Sequence, residues 1–445
     1  MPESQRAVPG ASLSVLDGVA IMVGIIVGIG IFRFPGLVAS NVGSEWAFMG
    51  VWLLGGVITL IGALCYAELA AAHPNAGGEY HFLSRAYGRN VALFFAWARG
   101  TVIQTGAIAL VGFVFGDYAN QLIPLGTHGP WIYALLAVAT FTGLNLAGTP
   151  QSKTAQVVFT FLTLAALFAV VIAALLFARA PATPPPATGG GGGALGLAMV
   201  FVLLTYGGWN EAAYLSAEVR DARRNIVRVL LLGTLVVTVL YLLVNFAYLT
   251  AFGLHGLRAS KAVGADMMRM IAGEAGAVVL SLIVVCAALS TLNATIFTGA
   301  RVYYALGRDL PIIERLGVWN ERGANPVNAI LLQGAIAIAL VLFGAASRDG
   351  VSAMVDYTSP VFWFFMLLVG LSLFVLRFKE PDRELPFRVP LYPVTPILFC
   401  ATCAYLLYSS LMYTGRGAIV GILVLLSGIP LLLLSRRREK PVAAE

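Results

Sequence analysis

Two glycine clusters in apolar runs stand out as places where the backbone itself could bind a small molecule. The first is Gly28-Ile29-Gly30, and the second is Gly207-Gly208. A helix broken at such glycines exposes backbone N–H and C=O groups, which a ligand, water or protein must then satisfy. The N-terminus of a half-helix suits a carboxylate, and the free carbonyls of the preceding half-helix suit an ammonium group. The clusters therefore predict a ligand site built from backbone groups.

The elements that would position these glycines are membrane-spanning helices. Of the 445 residues, 59% are hydrophobic and only 11% are charged, whereas soluble domains carry about 25% charged residues. A span needs roughly 20 apolar residues, so the composition excludes large extramembrane domains. We predict an all-α integral membrane protein with twelve transmembrane helices near residues 13–39, 46–71, 91–118, 131–147, 153–178, 194–217, 226–253, 276–304, 326–345, 351–377, 393–414 and 416–434.

The distribution of basic residues predicts the orientation. Of the 28 Lys and Arg residues, 20 fall on the side of the termini, 7 fall on the opposite side, and Arg99 lies near a span end. Basic residues concentrate in cytoplasmic loops, so we expect both termini in the cytoplasm and a multi-pass protein of the cell (inner or plasma) membrane. The net charge of +7 is then explained by basic loops, and no nucleic acid partner is expected. The N-terminus lacks a signal-peptide pattern, so the first apolar run should remain as a span.

A stretch rich in Pro and Gly divides the chain after the fifth span. Its composition is that of an outer linker without a core. Five spans before it and five after it suggest an internal duplication, with the last two spans as an appendage. The predicted parts are a cytoplasmic N-terminus (1–12), a first five-helix repeat (13–178), an outer loop (179–193), a second five-helix repeat (194–377), a cytoplasmic loop with helices 11 and 12 (378–434), and a cytoplasmic tail (435–445).

Both glycine clusters fall in the first span of a group of five. Close helix packing is the competing explanation, because Gly24 and Gly28 also form a small-xxx-small pattern. Gly-interrupted spans at corresponding places in two repeats are, however, typical of the substrate site of secondary transporters. We therefore favour a ligand site near the bilayer midplane.

Five motifs carry a family resemblance that extends from residue 17 to about residue 396. They are Gly28-Ile29-Gly30-Ile31-Phe32; Glu68-Leu69 with Pro74 and Gly77-Gly78-Glu79-Tyr80; Tyr206-Gly207-Gly208-Trp209-Asn210 with Glu218 and Arg224-Asn225-Ile226; Tyr304-Ala305-Leu306-Gly307-Arg308-Asp309; and Pro386-Phe387-Arg388-Val389-Pro390-Leu391-Tyr392-Pro393. Jointly they resemble the amino acid, polyamine and organocation (APC) superfamily, nearest its L-type amino acid transporter branch. The resemblance implies a LeuT-type five-plus-five inverted repeat in which helices 1 and 6 are broken.

The resemblance also implies roles for individual residues around an α-amino acid. The substrate carboxylate would meet the backbone N–H groups of Gly28, Ile29 and Gly30. The ammonium would meet carbonyls near Ile26 and in the segment 204–207. Selectivity would come from side chains near the second break. The substrate-binding residues implied at this break are Leu204, Tyr206, Gly207, Gly208, Trp209 and Asn210.

Two positions depart from the family pattern. Ile29 stands where a Ser or Thr is frequent, so one hydroxyl contact to the carboxylate is missing. Leu204 stands where an aromatic gate is frequent, so the gate is looser or another residue serves. A lysine that some proton-coupled relatives carry in span five is replaced by Thr163, so that coupling mechanism is not supported.

Polar groups inside the spans suggest how transport could be coupled. Glu211 follows the second break and is a candidate proton carrier or ligand contact, although a helix cap is an equal alternative. Ser290 and Thr291, with Asn293, could offer oxygens to a sodium ion, but such residues more often bond to their own helix. The coupling ion, proton or sodium, stays open.

The remaining ionisable residues of the spans have structural interpretations. Glu68 and Arg99 lie near inner span ends, where pairing with loop charges is sufficient. Asp356 is expected at the outer interface.

Several other kinds of site are not supported. Cys400 and Cys403 have half the spacing of a zinc site, but no second pair completes it, so no metal is expected. No phosphate-binding Walker motif and no catalytic constellation such as Gly-x-Ser-x-Gly is present in the sequence, so no cofactor and no enzymatic activity are expected.

The sequence as a whole predicts a secondary active permease that moves amino acids by alternating access, either ion-coupled or by exchange. Its expected partners are the amino acid, the lipid bilayer and a coupling ion, and no obligate protein partner is evident. Two alternatives stay open: a polyamine or amine transporter, for which Glu211 is the one acidic candidate, and an amino acid sensor that binds without transporting.

Overall fold

The computed structural model describes residues 14–75, 77–148, 153–177, 195–211, 219–320, 325–347, 349–413, 415–430 and 433. Within these ranges the chain is helical and contains no strand. The helices of the first part are α1 Val15–Ile26, α2 Phe34–Ser40, α3 Glu45–Ala72, α4 Gly78–Tyr87, α5 Arg89–Ala98, α6 Thr105–Leu122, α7 Gly129–Leu146 and α8 Lys153–Phe177. Those of the second part are α9 Leu195–Thr205, α10 Ala222–Ala259, α11 Val263–Asp309, α12 Val327–Ala345, α13 Gly350–Lys379, α14 Val394–Tyr413 and α15 Arg416–Leu426.

Many of these helices are long and apolar enough to cross a membrane. Eight such spans are found in the described ranges, including Glu45–Ala72, Arg89–Leu122 and Gly350–Lys379. Shorter apolar helices are Val15–Ile26, Phe161–Ala174, Leu195–Thr205 and Arg416–Pro430. The all-helical membrane fold expected from composition is therefore confirmed.

Local sequence explains where several helices begin. The Ser14 hydroxyl accepts the N–H of Asp17 at 3.2 Å, and the Asp17 carboxylate accepts the N–H of Ser14 at 3.0 Å, which is a capping box for α1. Ser44 caps α3 by accepting the N–H of Ala47 at 3.1 Å. Asp349 caps α13 by accepting the N–H of Ser352 at 2.9 Å. Each cap satisfies an N–H group that the first helical turn cannot bond internally.

Most predicted span limits agree with the helices within a few residues. The expected span 46–71 is α3, and 351–377 is α13. Two helices are longer than expected, because α10 and α11 continue through kinks at Gly253 and Gly273, where φ is +61° and +66°. Glycine takes such angles without a steric penalty, so the chain bends and the helix extends past the predicted span, by six residues after Gly253 and by ten before Gly273. The predicted parts 1–12, 179–193 and 435–445 lie outside the described residues.

The helix that starts at Arg89 contains a wide turn. Residues Arg99–Gln104 form a π-helical segment between α5 and α6. Such segments occur mostly as single turns inside α-helices, frequently at functional sites. Around it, α6 packs against α7, α11 and α13, while α10 packs against α3 and α1. This packing surrounds the two glycine clusters.

Candidate functional site

The first glycine cluster interrupts a helix, as predicted. Helix α1 ends at Ile26, Gly28 is extended with φ −105°, and a 3₁₀ turn covers Ile29–Phe32 before α2 begins. Gly28 and Gly30 are partly exposed, whereas Ile26 and Ile29 are buried. A Cβ placed on Gly28 would meet only the Ile26 carbonyl oxygen, at 3.9 Å. Glycine therefore leaves open space beside the backbone at this point.

The second cluster interrupts another helix. Helix α9 ends at Thr205, the N–H of Gly207 donates to the Leu204 carbonyl at 3.1 Å, and Gly208 has φ +101°. Glycine is required at such an angle because other L-residues are strained there. A Cβ on Gly208 would lie 3.0 Å from Cγ2 of Ile25. The two breaks are thus in contact.

One buried hydroxyl joins the two broken helices. The Tyr241 Oη, on α10, lies 2.9 Å from the Ile26 carbonyl and 3.1 Å from the Thr205 carbonyl. The Ile26 carbonyl also accepts the N–H of Gly28 at 2.8 Å. The carbonyl and N–H that the resemblance assigned to substrate therefore bond to the protein in this conformation. No pattern in the sequence indicated a role for Tyr241, which lies inside an apolar run.

A cavity of about 240 Å³ lies against the second break. Of the predicted binding residues, Leu204, Gly207, Gly208 and Asn210 line it. Its other lining residues are largely apolar residues of α2, the helix containing the π segment, and α13, together with the charged Glu79, Arg99 and Glu211. They include Phe34, Phe95, Ile103, Leu110, Val111, Thr358, Phe362 and Phe365. A small, mostly apolar cavity beside exposed backbone suits a small solute with an apolar part.

The other predicted binding residues lie behind this lining. Tyr206 is fully buried and donates to the Trp52 carbonyl at 3.1 Å. Trp209 is 5% exposed, and its ring lies edge-on to Tyr66 at 4.8 Å between centroids. Ile26, Gly28, Ile29 and Gly30 form the first break and are not part of the cavity lining. Tyr206 and Trp209 thus pack in the core around the second break.

A charged cluster borders the cavity at the α4 end. Arg99 donates to both oxygens of Glu211, at 2.8 and 3.0 Å, and to Glu79 at 3.3 Å. The other oxygen of Glu79 accepts from the Tyr66 hydroxyl at 2.7 Å and from the Asn210 amide at 2.9 Å. Glu79 begins α4, between two spans, and burial raises the pKa of its carboxyl, with Glu211 acting in the same direction and Arg99 opposing.

The sequence analysis named Glu79 only as part of a family motif and predicted no chemical role for it. Arg99 does pair with a charge between two spans, Glu79 of α4, and it also contacts Glu211 across the site. The proximity of these three side chains arises from packing, because their positions in the chain are far apart.

A second charged cluster lies at the opposite end of the bundle. Arg33, in the turn before α2, is 2% exposed and donates to Asp117 of α6 at 3.0 Å and to Asp349 at the start of α13. The cluster joins three elements that all contribute to the cavity. The sequence analysis did not identify it, and its only signal was three charges near span ends on the same predicted side.

Other polar residues have local partners. Thr291 donates to the Ala287 carbonyl of its own helix at 2.9 Å, and the Asn293 amide oxygen accepts from Asn145 at 2.8 Å. Ser290 and Thr291 are not among the cavity lining. No group of three or more His, Cys, Asp or Glu able to hold a metal is found in the part of the chain that the structure describes.

Two further intramembrane carboxylates are held at the two ends of the bundle. Glu68 accepts two hydrogen bonds from Arg377, at 2.7 and 2.6 Å, and one from the N–H of Val389 at 2.6 Å. Asp356 accepts the N–H of Gly415 at 3.2 Å. Both arrangements agree with structural roles.

A bundle of apolar helices with two touching helix breaks beside a small cavity defines a membrane permease. The family model described as "Amino acid permease" matches residues 13–433. The chain belongs to this family, so it is a transporter and not an enzyme, and the resemblance read from the motifs is confirmed.

Individual relatives agree with this family. The chain is 30% identical to the b(0,+)-type amino acid transporter 1 of Mus musculus, over 87% of this chain and 80% of the relative. It is 26% identical to the cystine/glutamate transporter of Homo sapiens, over 96% and 86% respectively. It is also 26% identical to the serine/threonine exchanger SteT of Bacillus subtilis, over 96% and 97%.

Proposed function

We propose that the chain exchanges neutral α-amino acids across the cell membrane by alternating access, with the two helix breaks as the substrate site. The cavity beside the second break carries this proposal, because it combines backbone of Gly207 and Gly208 with an apolar wall. The substrate carboxylate would bind the N–H groups of residues 28–30, and its ammonium would bind carbonyls at the ends of α1 and α9. The substrate side chain would occupy the apolar wall.

The proposed architecture has twelve spans in a five-plus-five repeat with two further helices. The eight long apolar helices and the shorter apolar ones support this count. The 20 to 7 distribution of basic residues supports cytoplasmic termini, and α4 would then lie on the cytoplasmic side.

Exchange is the transport mode that we favour. A relative that matches over nearly its full length is named an exchanger. Binding at the breaks requires local rearrangement, since Tyr241 and Gly28 both bond to the Ile26 carbonyl in this conformation. We propose that substrate takes over part of these bonds when it binds.

The amine-carrier alternative has less support. An amine lacks the carboxylate that the backbone N–H groups would bind. The two acidic residues bordering the cavity, Glu79 and Glu211, already accept hydrogen bonds from Arg99. An amine would therefore have to displace a guanidinium to reach them.

The test is exchange by the purified chain in liposomes preloaded with unlabelled amino acid. We expect saturable uptake of labelled neutral amino acids such as leucine or serine, poor competition by the corresponding decarboxylated amines, and activity without any added protein. Strong competition by the amines would favour the amine carrier instead. Saturable binding without uptake would favour the sensor.

A glycine series tests the site itself. Gly28→Ala adds one carbon into open space and should retain exchange, whereas Gly28→Val should reduce it at least tenfold because its branches extend beside the break. Gly50→Ala in α3 is the control, since a Cβ there meets nothing within 4 Å. Equal exchange by Gly28→Val and Gly50→Ala would contradict the assignment of the first break.

A further inference from the structure

We propose that a second cavity, at the ends of α3 and α13, binds a phosphate group through Arg388 and His73. The phosphate would belong to a phospholipid headgroup or be a free phosphate ion. This cavity, which we call the loop cavity, shares no lining residue with the cavity beside the second break. The inference therefore goes beyond the proposed function and does not depend on it.

The loop cavity lies where α3 and α13 end and where the segment before α14 contacts them. Its volume is about 210 Å³, whereas one water needs only about 10–15 Å³. Its ionisable lining residues are Glu68, His73, Arg377, Glu380, Arg383 and Arg388. The loop cavity thus has room for a polar group larger than water and a wall that carries charge.

The carboxylates of the loop cavity are already paired, and one arginine is left over. Glu68 accepts three hydrogen bonds, as described above. Glu380 accepts from Arg85 at 2.6 Å and from Arg383 at 3.0 Å. Arg388 is exposed and makes no hydrogen bond or ion pair within the ranges that the structure describes. Its guanidinium is therefore available to an anion in the cavity.

A buried histidine is the second, independent observation. The His73 side chain lines the loop cavity and is 4% exposed, and its Nδ1 has no hydrogen-bond partner among the described residues. Such a buried polar atom costs stability until it gains a partner. Burial lowers the pKa of His73 to about 4, and Arg383 and Arg85 act in the same direction against Glu380. The ring is thus a neutral hydrogen-bond donor in a positive potential, which attracts an anion.

The wall of the loop cavity is fixed without a ligand. The Arg383 guanidinium donates twice to the Ala72 carbonyl at the end of α3, at 3.0 and 2.6 Å. The N–H of Val389 donates to Glu68 at 2.6 Å. A preorganised site loses less conformational freedom when it binds. A bound phosphate would add one more link between the segment before α14 and α3, so it should stabilise the folded protein.

Phosphate is the anion that suits this wall, and a phospholipid is its expected source. Guanidinium groups match phosphate oxygens with parallel N–H donors. Phe378 and Leu391, beside the cavity in sequence, are 88% and 79% exposed, as expected at a membrane surface. Basic pockets between helices at the cytoplasmic side suit phosphate headgroups. Two further acidic residues of the segment, Asp382 and Glu384, do not line the cavity.

The experiment is thermal unfolding of the purified full chain in a neutral detergent, with phosphatidic acid, diacylglycerol or inorganic phosphate added. A ligand that binds only the folded state raises the unfolding temperature. We expect phosphatidic acid to raise it, and diacylglycerol, which lacks the phosphate, to leave it unchanged.

Variants of Arg388 test the assigned contact. Arg388→Gln should weaken phosphatidic acid binding about tenfold or more, because a charge-assisted hydrogen bond is lost, and Arg388→Glu should abolish it. Both variants should fold, since Arg388 bonds to no described residue. The control is Arg315→Gln, at an exposed arginine before α12, which should respond as the parent does.

The outcomes separate the two sources of phosphate and the two proposals. A response to phosphatidic acid that is lost in Arg388→Gln supports the site with a lipid occupant. A response to inorganic phosphate alone, lost in the same variant, supports it with a free ion. Equal responses of the parent and Arg388→Gln, an equal response to diacylglycerol, or no response to either phosphate would overturn the site. Unfolding requires no transport, so this result stands whether or not the chain exchanges amino acids.

Discussion

Removing Arg33 should open the end of the bundle that lies opposite α4. Arg33 is 2% exposed and bonds to Asp117 and Asp349, so Arg33→Gln leaves two carboxylates without their cation. Breaking a buried ion pair costs about 3–5 kcal/mol. Because Asp349 is 23% exposed and keeps its cap on Ser352, we take the lower value of about 3 kcal/mol. At 1.36 kcal/mol per factor of ten, the open form gains about a hundredfold in population.

The assay is labelling of a cysteine placed in the cavity. Val111→Cys puts a thiol among the lining residues, in a Cys286→Ser background, since Cys286 is the one native cysteine of the four that is not buried. A membrane-impermeant maleimide confined to the Arg33 side should react about a hundredfold faster in Arg33→Gln than in the parent. Asp349→Asn keeps the helix cap and provides a milder second variant.

The control is Arg269→Gln on the same side. Arg269 forms a partly exposed cluster with Asp266 and Glu274, and ion pairs that reach solvent contribute about 0–1 kcal/mol. We expect its labelling rate to stay within about fivefold of the parent. If the folded Arg33→Gln protein labels no faster than Arg269→Gln, the Arg33 cluster does not hold this end closed.

Two further predictions concern stability in detergent, measured by thermal unfolding. Glu68→Gln should lower the free energy of unfolding by about 3–5 kcal/mol, because Glu68 is 3% exposed and bonds twice to Arg377. The control is Glu380→Gln, which removes the half-exposed pair of Glu380 with Arg85. An equal loss of stability in this control would refute the argument. His73 follows α3, and burial lowers its pKa to about 4, so the unfolded chain binds the extra proton and stability should fall as pH drops from about 6.5 to about 4. His73→Phe should reduce this pH dependence, and an unchanged slope would count against it.

The helical organisation was predictable because it depends on local composition. Apolar runs bounded by charges gave spans that match α3 and α13 within a few residues. The breaks at Gly28 and Gly208 were predictable too, because glycine clusters within apolar runs favour a helix interruption, and at Gly208 the positive φ requires glycine. The twelve-span count, the repeat and the substrate contacts remain proposals.

The charged clusters were not predictable from local pattern. Arg33 bonds to residues 84 and 316 positions away, and no single-sequence pattern reports such distances. The role of Tyr241 was not predictable, because a tyrosine in an apolar run usually indicates core packing. The π segment was missed because its sequence differs little from that of an ordinary helix, and the wide turn depends on the neighbours that α5 and α6 contact.

The helix built from α5, the π segment and α6 carries one member of each charged cluster, Arg99 near one end and Asp117 near the other. At 1.5 Å per residue, the 18 positions between them cover about 27 Å, close to the thickness of the hydrocarbon core. This helix therefore fixes the separation of the two clusters along the axis of the bundle. Deleting one residue from the α-helical turns between Thr105 and Asp117 would turn Asp117 by about 100° relative to Arg99 and bring the two about 1.5 Å closer along the axis, whereas a deletion in a surface loop would not.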